Sequence, residues 1–173
     1  MTVVRAAILL KFRDMVTEPG GTIREHRERI DETGHAWWGW WSHQSELIPR
    51  DFLHERDDRS QSHDDGSSAL LFDSGAAQLF HARVRGIVVA PTASHGLQPP
   101  SFENTPSYYH RGRYHAWFKL DQIDGPLAPG RLLLRSHPTL EPDDAHRAHI
   151  GETTMDRLRG GGQTMWTADF ETT

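Results

Sequence analysis

Ala36-Trp37-Trp38-Gly39-Trp40-Trp41-Ser42 is the stretch on which the reading of this chain turns. It carries four of the six tryptophans within five positions. On a strand, side chains alternate between faces, so Trp38 and Trp40 share one face and Trp37 and Trp41 the other. Gly39 removes the side chain between Trp37 and Trp41, so a ligand or another backbone can approach there. Aromatic walls over a bare floor suit a flat or cationic ligand. The competing reading is a strand buried on both faces, between a sheet and a helix. The expectation is one tryptophan face in the core and the other forming a cage, with Trp37 and Trp41 as the cage pair.

Working outward, Val3–Phe12 alternates as a strand, with Val4, Ile8, Leu10 and Phe12 as core candidates. Thr22 and Glu25 have the spacing of a capping box opening a helix to about Thr33, and Gly34 is a fitting stop. His35–Ser42 is the tryptophan strand, and Glu46–His54 reads as a short helix. Glu55–Ser68 is polar, acidic and aperiodic, and is expected to be a mobile loop.

Ala69–Phe72 and Gln78–Ala90 flank Asp73-Ser74-Gly75, a hairpin signal. Pro91–Gly112 is a long proline-rich connection with a helical turn near Pro106–His110. Tyr114–Ile123 is a strong strand, Arg131–Leu134 a short one, and Pro142–His149 is helical. Gln163–Phe170 is expected as a closing edge strand. Together these elements give an α+β domain: a curved, mostly antiparallel, barrel-like sheet with a few short helices.

With 173 residues the chain suits one domain, taken as residues 1–173. The net charge of -5 argues against a global polycation of the kind that binds nucleic acid without selectivity. Lys11 and Lys119 are the only lysines among 19 basic residues, and arginine favours planar, bidentate or stacked recognition. The absence of cysteine excludes disulfides, thiolate metal sites and cysteine nucleophiles, and fits a cytoplasmic setting. Ala6–Leu10 is too short an apolar run to span a membrane, and none is expected as a partner.

No catalytic constellation emerges. His146 and His149 are three apart, but no HExxH or histidine–carboxylate spacing accompanies them, so no metal is expected. Ser74 lacks a GxSxG frame, and Gly160-Gly161-Gly162 lacks the Lys-Ser/Thr of a phosphate loop. No cofactor is expected. A binding constellation remains. Trp37, Trp38 and Trp41 offer stacking surfaces beside Gly39. Asp73 and Ser74 offer hydrogen bonds at a hairpin, and Tyr109, Arg111, Arg113 and Trp117 follow in the long loop and the next strand. Aromatic walls, a few polar groups and arginines match what a flipped base or a nucleotide requires.

The order of these pieces resembles the PUA-like superfamily, and within it the EVE domains. The resemblance rests on the strand Ala6–Phe12 before a helix, then Trp37-Trp38-Gly39-Trp40, then Leu71-Phe72-Asp73-Ser74-Gly75. The long strand Phe80–Val89, the pair Tyr108-Tyr109 closing a proline-rich loop, and Trp117-Phe118-Lys119-Leu120 complete it. It spans about Val3 to Leu134. The chain departs from EVE domains in its four tryptophans, in its acidic loop and in carrying Ser42-His43-Gln44 near the family's Arg-Asn.

The resemblance implies a reader of modified bases in DNA or RNA, or of a free nucleotide. In prokaryotes such readers are often attached to, or partnered with, nucleases or other defence effectors. It also implies a cage built from Trp37, Trp38 or Trp41 with Ser74 and Tyr109 nearby. An interaction module that uses the tryptophan strand against another protein, with no small ligand, is the alternative.

Overall fold

The computed structural model describes residues 1–91 and 95–173. Its eight strands form one sheet. In chain order they are β1 (Val3–Phe12), β2 (Ala36–Trp40), β3 (Ser67–Asp73), β4 (Gln78–Val89), β5 (Ala116–Asp124), β6 (Gly130–Ser136), β7 (Gly151–Thr153) and β8 (Met165–Thr172). The helices are α1 (Gly21–Thr33), α2 (Arg50–Ser62), α3 (Pro142–Arg147) and α4 (Met155–Arg159). Across the sheet the order is β2-β5-β4-β3-β1-β8-β6-β7. The β1–β3 pair is parallel and the other pairs are antiparallel.

The sheet carries a core on each face. Ile8, Leu10, Trp38, Trp40, Leu71, Phe80 and Phe118 belong to one, under α1 and α2. Ala6, Leu9, Leu70, Phe72, Trp166 and Phe170 belong to the other, with Leu158 of α4. A register shift against β8 between Ala6 and Leu9 explains how β1 serves both cores. An inserted residue reverses the in/out parity of everything after it. Val4 and Ala6 therefore face the second core, while Ile8, Leu10 and Phe12 face the first. In β4, the shift between Val84 and Gly86 does the same: Phe80, Ala82 and Val84 precede it on the first core, and Ile87 follows on that core too.

No pairing among the described residues closes the sheet into a barrel; β2 and β7 are its edges. It nevertheless curls far enough for side chains to meet across it. Phe12 of β1 packs edge-on to Trp38 of β2 with ring centroids 5.0 Å apart, although three strands separate them in the sheet. Likewise Trp40 Nε1 donates to Thr164 Oγ1 at 2.9 Å, just before β8. Indoles are long enough to bridge this gap, and two of the four tryptophans are used so.

Three local expectations are corrected. The Thr22–Glu25 capping box does not form. The Asp14 carboxylate instead accepts Gly20 N at 2.8 Å and Thr22 N at 3.1 Å, doing from outside what an N-cap side chain does. Gly34 does end α1, with φ 93° and its amide on Ile30 O. The expected loop Glu55–Ser68 is helical to Ser62 and enters β3 at Ser67. Apolar periodicity in α2 is weak because few of its contacts are apolar: Leu53 is buried, and Asp57 Oδ1 accepts Ile87 N at 2.7 Å beside the shifted register of β4. Finally, β8 is no edge strand but lies between β1 and β6; β7 and α4 went unforeseen, being only three and five residues long.

Candidate functional site

The tryptophans divide differently from strand alternation alone. Trp38 is 2 % exposed and lies in the first core with Trp40. Trp37, half-buried on the other face, meets His35 edge-on at 6.0 Å. The floor at Gly39 is not bare. A Cβ there would stand 2.9 Å from Tyr114 Cγ and 3.1 Å from Trp117 Cζ3. Gly39 thus admits another part of the chain rather than a ligand. Trp117 is fully buried and its Nε1 donates to Leu97 O at 3.0 Å.

Residues 97–115 form a cover over the β2 edge. Trp37 N donates to Asn104 O at 3.0 Å, so the unpaired side of β2 is partly satisfied. Tyr109 is buried in the cover, edge-on to Tyr114 and Trp117, with its hydroxyl 3.5 Å from Gly39 O. Burial pushes its hydroxyl pKa well above the usual phenol value, so it remains a neutral donor. The ring of His26 joins Tyr109 to Trp38, with centroids 5.6 Å and 4.5 Å away. Its Nδ1 contacts Thr22 O at 2.8 Å and its Nε2 Trp37 O at 3.2 Å. Burial lowers the His26 pKa to about 4, so the ring is neutral at pH 7. Trp38, Gly39, Tyr109 and Trp117 are therefore brought together, but as packing.

Trp41 lies one residue past the end of β2, is 50 % exposed, and stacks on His115 with centroids 3.8 Å apart and planes 21° off parallel. Ser42 N donates to His115 Nδ1 at 3.1 Å, with Ser42 Oγ 2.9 Å from the same atom. A ring nitrogen that accepts from an amide carries no proton, so in the neutral ring the proton sits on Nε2. These residues, with Gln44, Leu47 and Arg50, line a cleft of about 500 Å³.

The wall of the cleft is fixed by the buried Glu46. Its Oε1 accepts His43 N at 3.0 Å and Thr164 Oγ1 at 2.6 Å; its Oε2 accepts Thr139 Oγ1 at 2.6 Å and Thr164 N at 2.9 Å. Both oxygens are occupied, so this carboxylate holds structure rather than offering itself to a ligand.

Asp73 and Ser74 sit elsewhere. Asp73 lines a separate cleft, also about 500 Å³, with Arg13, Asp14, Ile23, Gly75 and Phe80. Its polar groups are largely committed to the fold. Asp73 Oδ1 accepts Gly75 N and Ala76 N, and Ser74 Oγ donates to Phe12 O at 3.1 Å. Burial pushes the Asp14 carboxyl up, but hydrogen bonds from Thr22, Gly20 and Thr17 outweigh it and hold the pKa below the usual carboxylate value. No lining residue is shared between this cleft and the one at Trp41. Arg111 and Arg113 are exposed in the cover, and neither makes an ion pair or side-chain hydrogen bond among the described residues.

The expected Trp37–Trp41 cage is therefore not formed: of the pair only Trp41 lines a cleft, and its stacking partner is His115. Sequence reasoning missed His115, Ser42 and Arg50. Ser42 stood in view beside the family's Arg-Asn position, whereas His115 and Arg50 reach Trp41 only through the fold. Among the described residues no cluster of three histidine, aspartate or glutamate side chains is placed to hold a metal ion. His149 Nε2 is engaged with Glu152 O at 2.7 Å. No helix among the described residues is long and apolar enough to cross a membrane.

A family model described as Pua-like matches residues 8–128, from β1 through β5 and the cover. The chain belongs to the Pua-like family. Comparison with curated proteins and with solved structures gave no match. The matched segment of this Pua-like chain holds the residues that line the cleft at Trp41; Thr139 and Thr164, which hold Glu46, and β6 to β8, which complete the second core, lie beyond it.

Proposed function

We propose that this Pua-like chain is a non-enzymatic recognition domain that takes a modified nucleobase or nucleotide, free or within a nucleic acid, on the exposed face of Trp41. The observation that carries this reading is the half-exposed indole, already stacked on His115, at a concave site. A base stacked on such a platform gains on the order of 1–3 kcal/mol. Ser42, Gln44 and Arg50 line the same cleft and supply polar groups for a base edge. Domains of this family generally bind RNA or other nucleic acid, which fits. Arg111 and Arg113, four and two residues before His115, lie exposed where a flanking backbone would need counter-charge. Attachment to, or partnership with, a defence effector in the cytoplasm belongs to the same reading.

The test is a binding panel of modified and unmodified nucleosides, nucleotides and short oligonucleotides, measured by titration calorimetry on the parent and on Trp41→Ala. The expected result is that at least one member binds the parent and binds Trp41→Ala about ten-fold or more weakly, with little change in melting. A parent that binds none of the panel, while Trp41→Ala alters its self-association, would replace this reading with the interaction module.

A further inference from the structure

Arg50 begins α2 and projects into the wall of the Trp41 cleft. Its Nε donates to Ala90 O at 3.1 Å, just past β4, and this bond fixes the plane of the guanidinium. Its Nη2 is buried and has no hydrogen-bond partner among the described residues. No carboxylate answers it: Arg50 forms no ion pair among the described residues, and Glu46, the one acid lining this cleft, has both oxygens filled by His43, Thr139 and Thr164. A desolvated guanidinium N–H with no acceptor is costly, and a folded protein keeps one where something else supplies the acceptor.

We infer that Arg50 is the specificity-determining residue of this cleft, donating from Nη2 to a hydrogen-bond acceptor on the nucleotide stacked on Trp41. This rests on the proposed reading of the cleft. The acceptor is a ring nitrogen or carbonyl of the base, or an oxygen of its phosphate; arginine suits either. The same geometry argues against a cationic ligand. A cage for a cation needs a free carboxylate or a ring of π-faces, and this one offers a guanidinium and a saturated acid. The cleft therefore selects neutral or anionic, acceptor-bearing rings and rejects bases made cationic by alkylation at a ring nitrogen.

The test compares guanosine, adenosine, their 5′-monophosphates, their 7-deaza analogues and 7-methylguanosine by calorimetry, against the parent, Arg50→Met, Arg50→Lys and Trp41→Ala. Melting curves establish that each variant is folded. Expected is a ten-fold or greater loss on Arg50→Met, and weaker binding of 7-methylguanosine than of guanosine by the parent. Arg50→Lys should not rescue, because lysine can replace the donor to Ala90 O but not the second prong of the fork. Sensitivity in the parent to loss of N7, or to loss of the phosphate, tells which acceptor is read, and that sensitivity should vanish in Arg50→Met.

If Arg50→Lys restores parental affinity, Arg50 is structural and the inference is overturned. If Arg50→Met binds as the parent does while Trp41→Ala does not, the inference fails and the cleft reading stands. If no probe binds the parent, the inference is overturned, while the reading of the cleft is decided separately by the wider panel of modified nucleosides, nucleotides and oligonucleotides.

Discussion

Gly39 lies under the ring of Tyr114, with room for a hydrogen and for nothing larger: a Cβ at this position would stand 2.9 Å from Tyr114 Cγ. The glycine is what lets the cover of residues 97–115 settle onto β2. Tyr114 N donates to Leu97 O and Leu97 N to Tyr114 O, so the same tyrosine also holds the base of the cover.

Gly39→Ala should therefore act as an overpacking substitution. A methyl pressed against two rings costs about 1–3 kcal/mol, because Tyr114 and Trp117 are held by their own neighbours. Thermal melting should fall by several degrees. An unchanged melting temperature would mean that the cover is free to lift.

The indoles should part company when truncated. Trp38→Ala removes a core side chain that touches both Phe12 and His26, and should cost about 3–5 kcal/mol. Trp41→Ala removes a half-exposed ring whose main contact is His115, and should cost under about 1 kcal/mol. Chemical denaturation of the two variants side by side measures the difference. Equal losses would contradict the division of the strand into core and cleft.

His26 makes stability depend on pH. Its folded pKa, lowered by burial from 6.5 to about 4, lies below its value in the unfolded chain. The unfolded state therefore takes up a proton first as pH falls. The stabilising contribution is full above pH 6.5, is lost as pH drops toward about 4, and amounts to about 3 kcal/mol at 1.36 kcal/mol per unit. His26→Gln should flatten the stability profile between these limits, measured by denaturant titration at several pH values. A profile as steep as the parent's would assign the dependence to other groups.

Helix α2 should prove part of the fold rather than an ornament. Asp57→Ala strips the acceptor from Ile87 N and should cost about 1–3 kcal/mol. Deleting residues 55–68 should lower the melting temperature by more than about 8 °C, since it removes most of α2 and the first strand residues of β3. A deletion variant that melts with the parent would restore the reading of this segment as a loop.

Local sequence alone dictates the α+β class, the span of β1, the end of α1 at Gly34 and the β3–β4 hairpin. Each is a local matter: period-two alternation, a left-handed glycine, a turn between apolar runs. It also placed the family, because the order of elements survives where close identity does not.

Tertiary structure alone decided the rest. Alternation says that Trp37, Gly39 and Trp41 share a face, but not that β2 stops at Trp40 because pairing with β5 ends at Ala116. Trp41 escapes the rule for that reason. Gly39 looked like open floor because nothing local reveals that Tyr114 and Trp117, 75 and more residues on, come down upon it. Hydrogen-bonding chemistry and the family resemblance group Asp73 and Ser74 with the tryptophans, while the fold sets their hairpin beside a separate cleft that Asp73 lines. The meeting of Trp41 with His115 follows from the antiparallel β2–β5 register, which sets Trp40 opposite Ala116 and hence Trp41 opposite His115, while Arg50 joins them because α2 docks on β4; such long-range contacts leave no period in the chain.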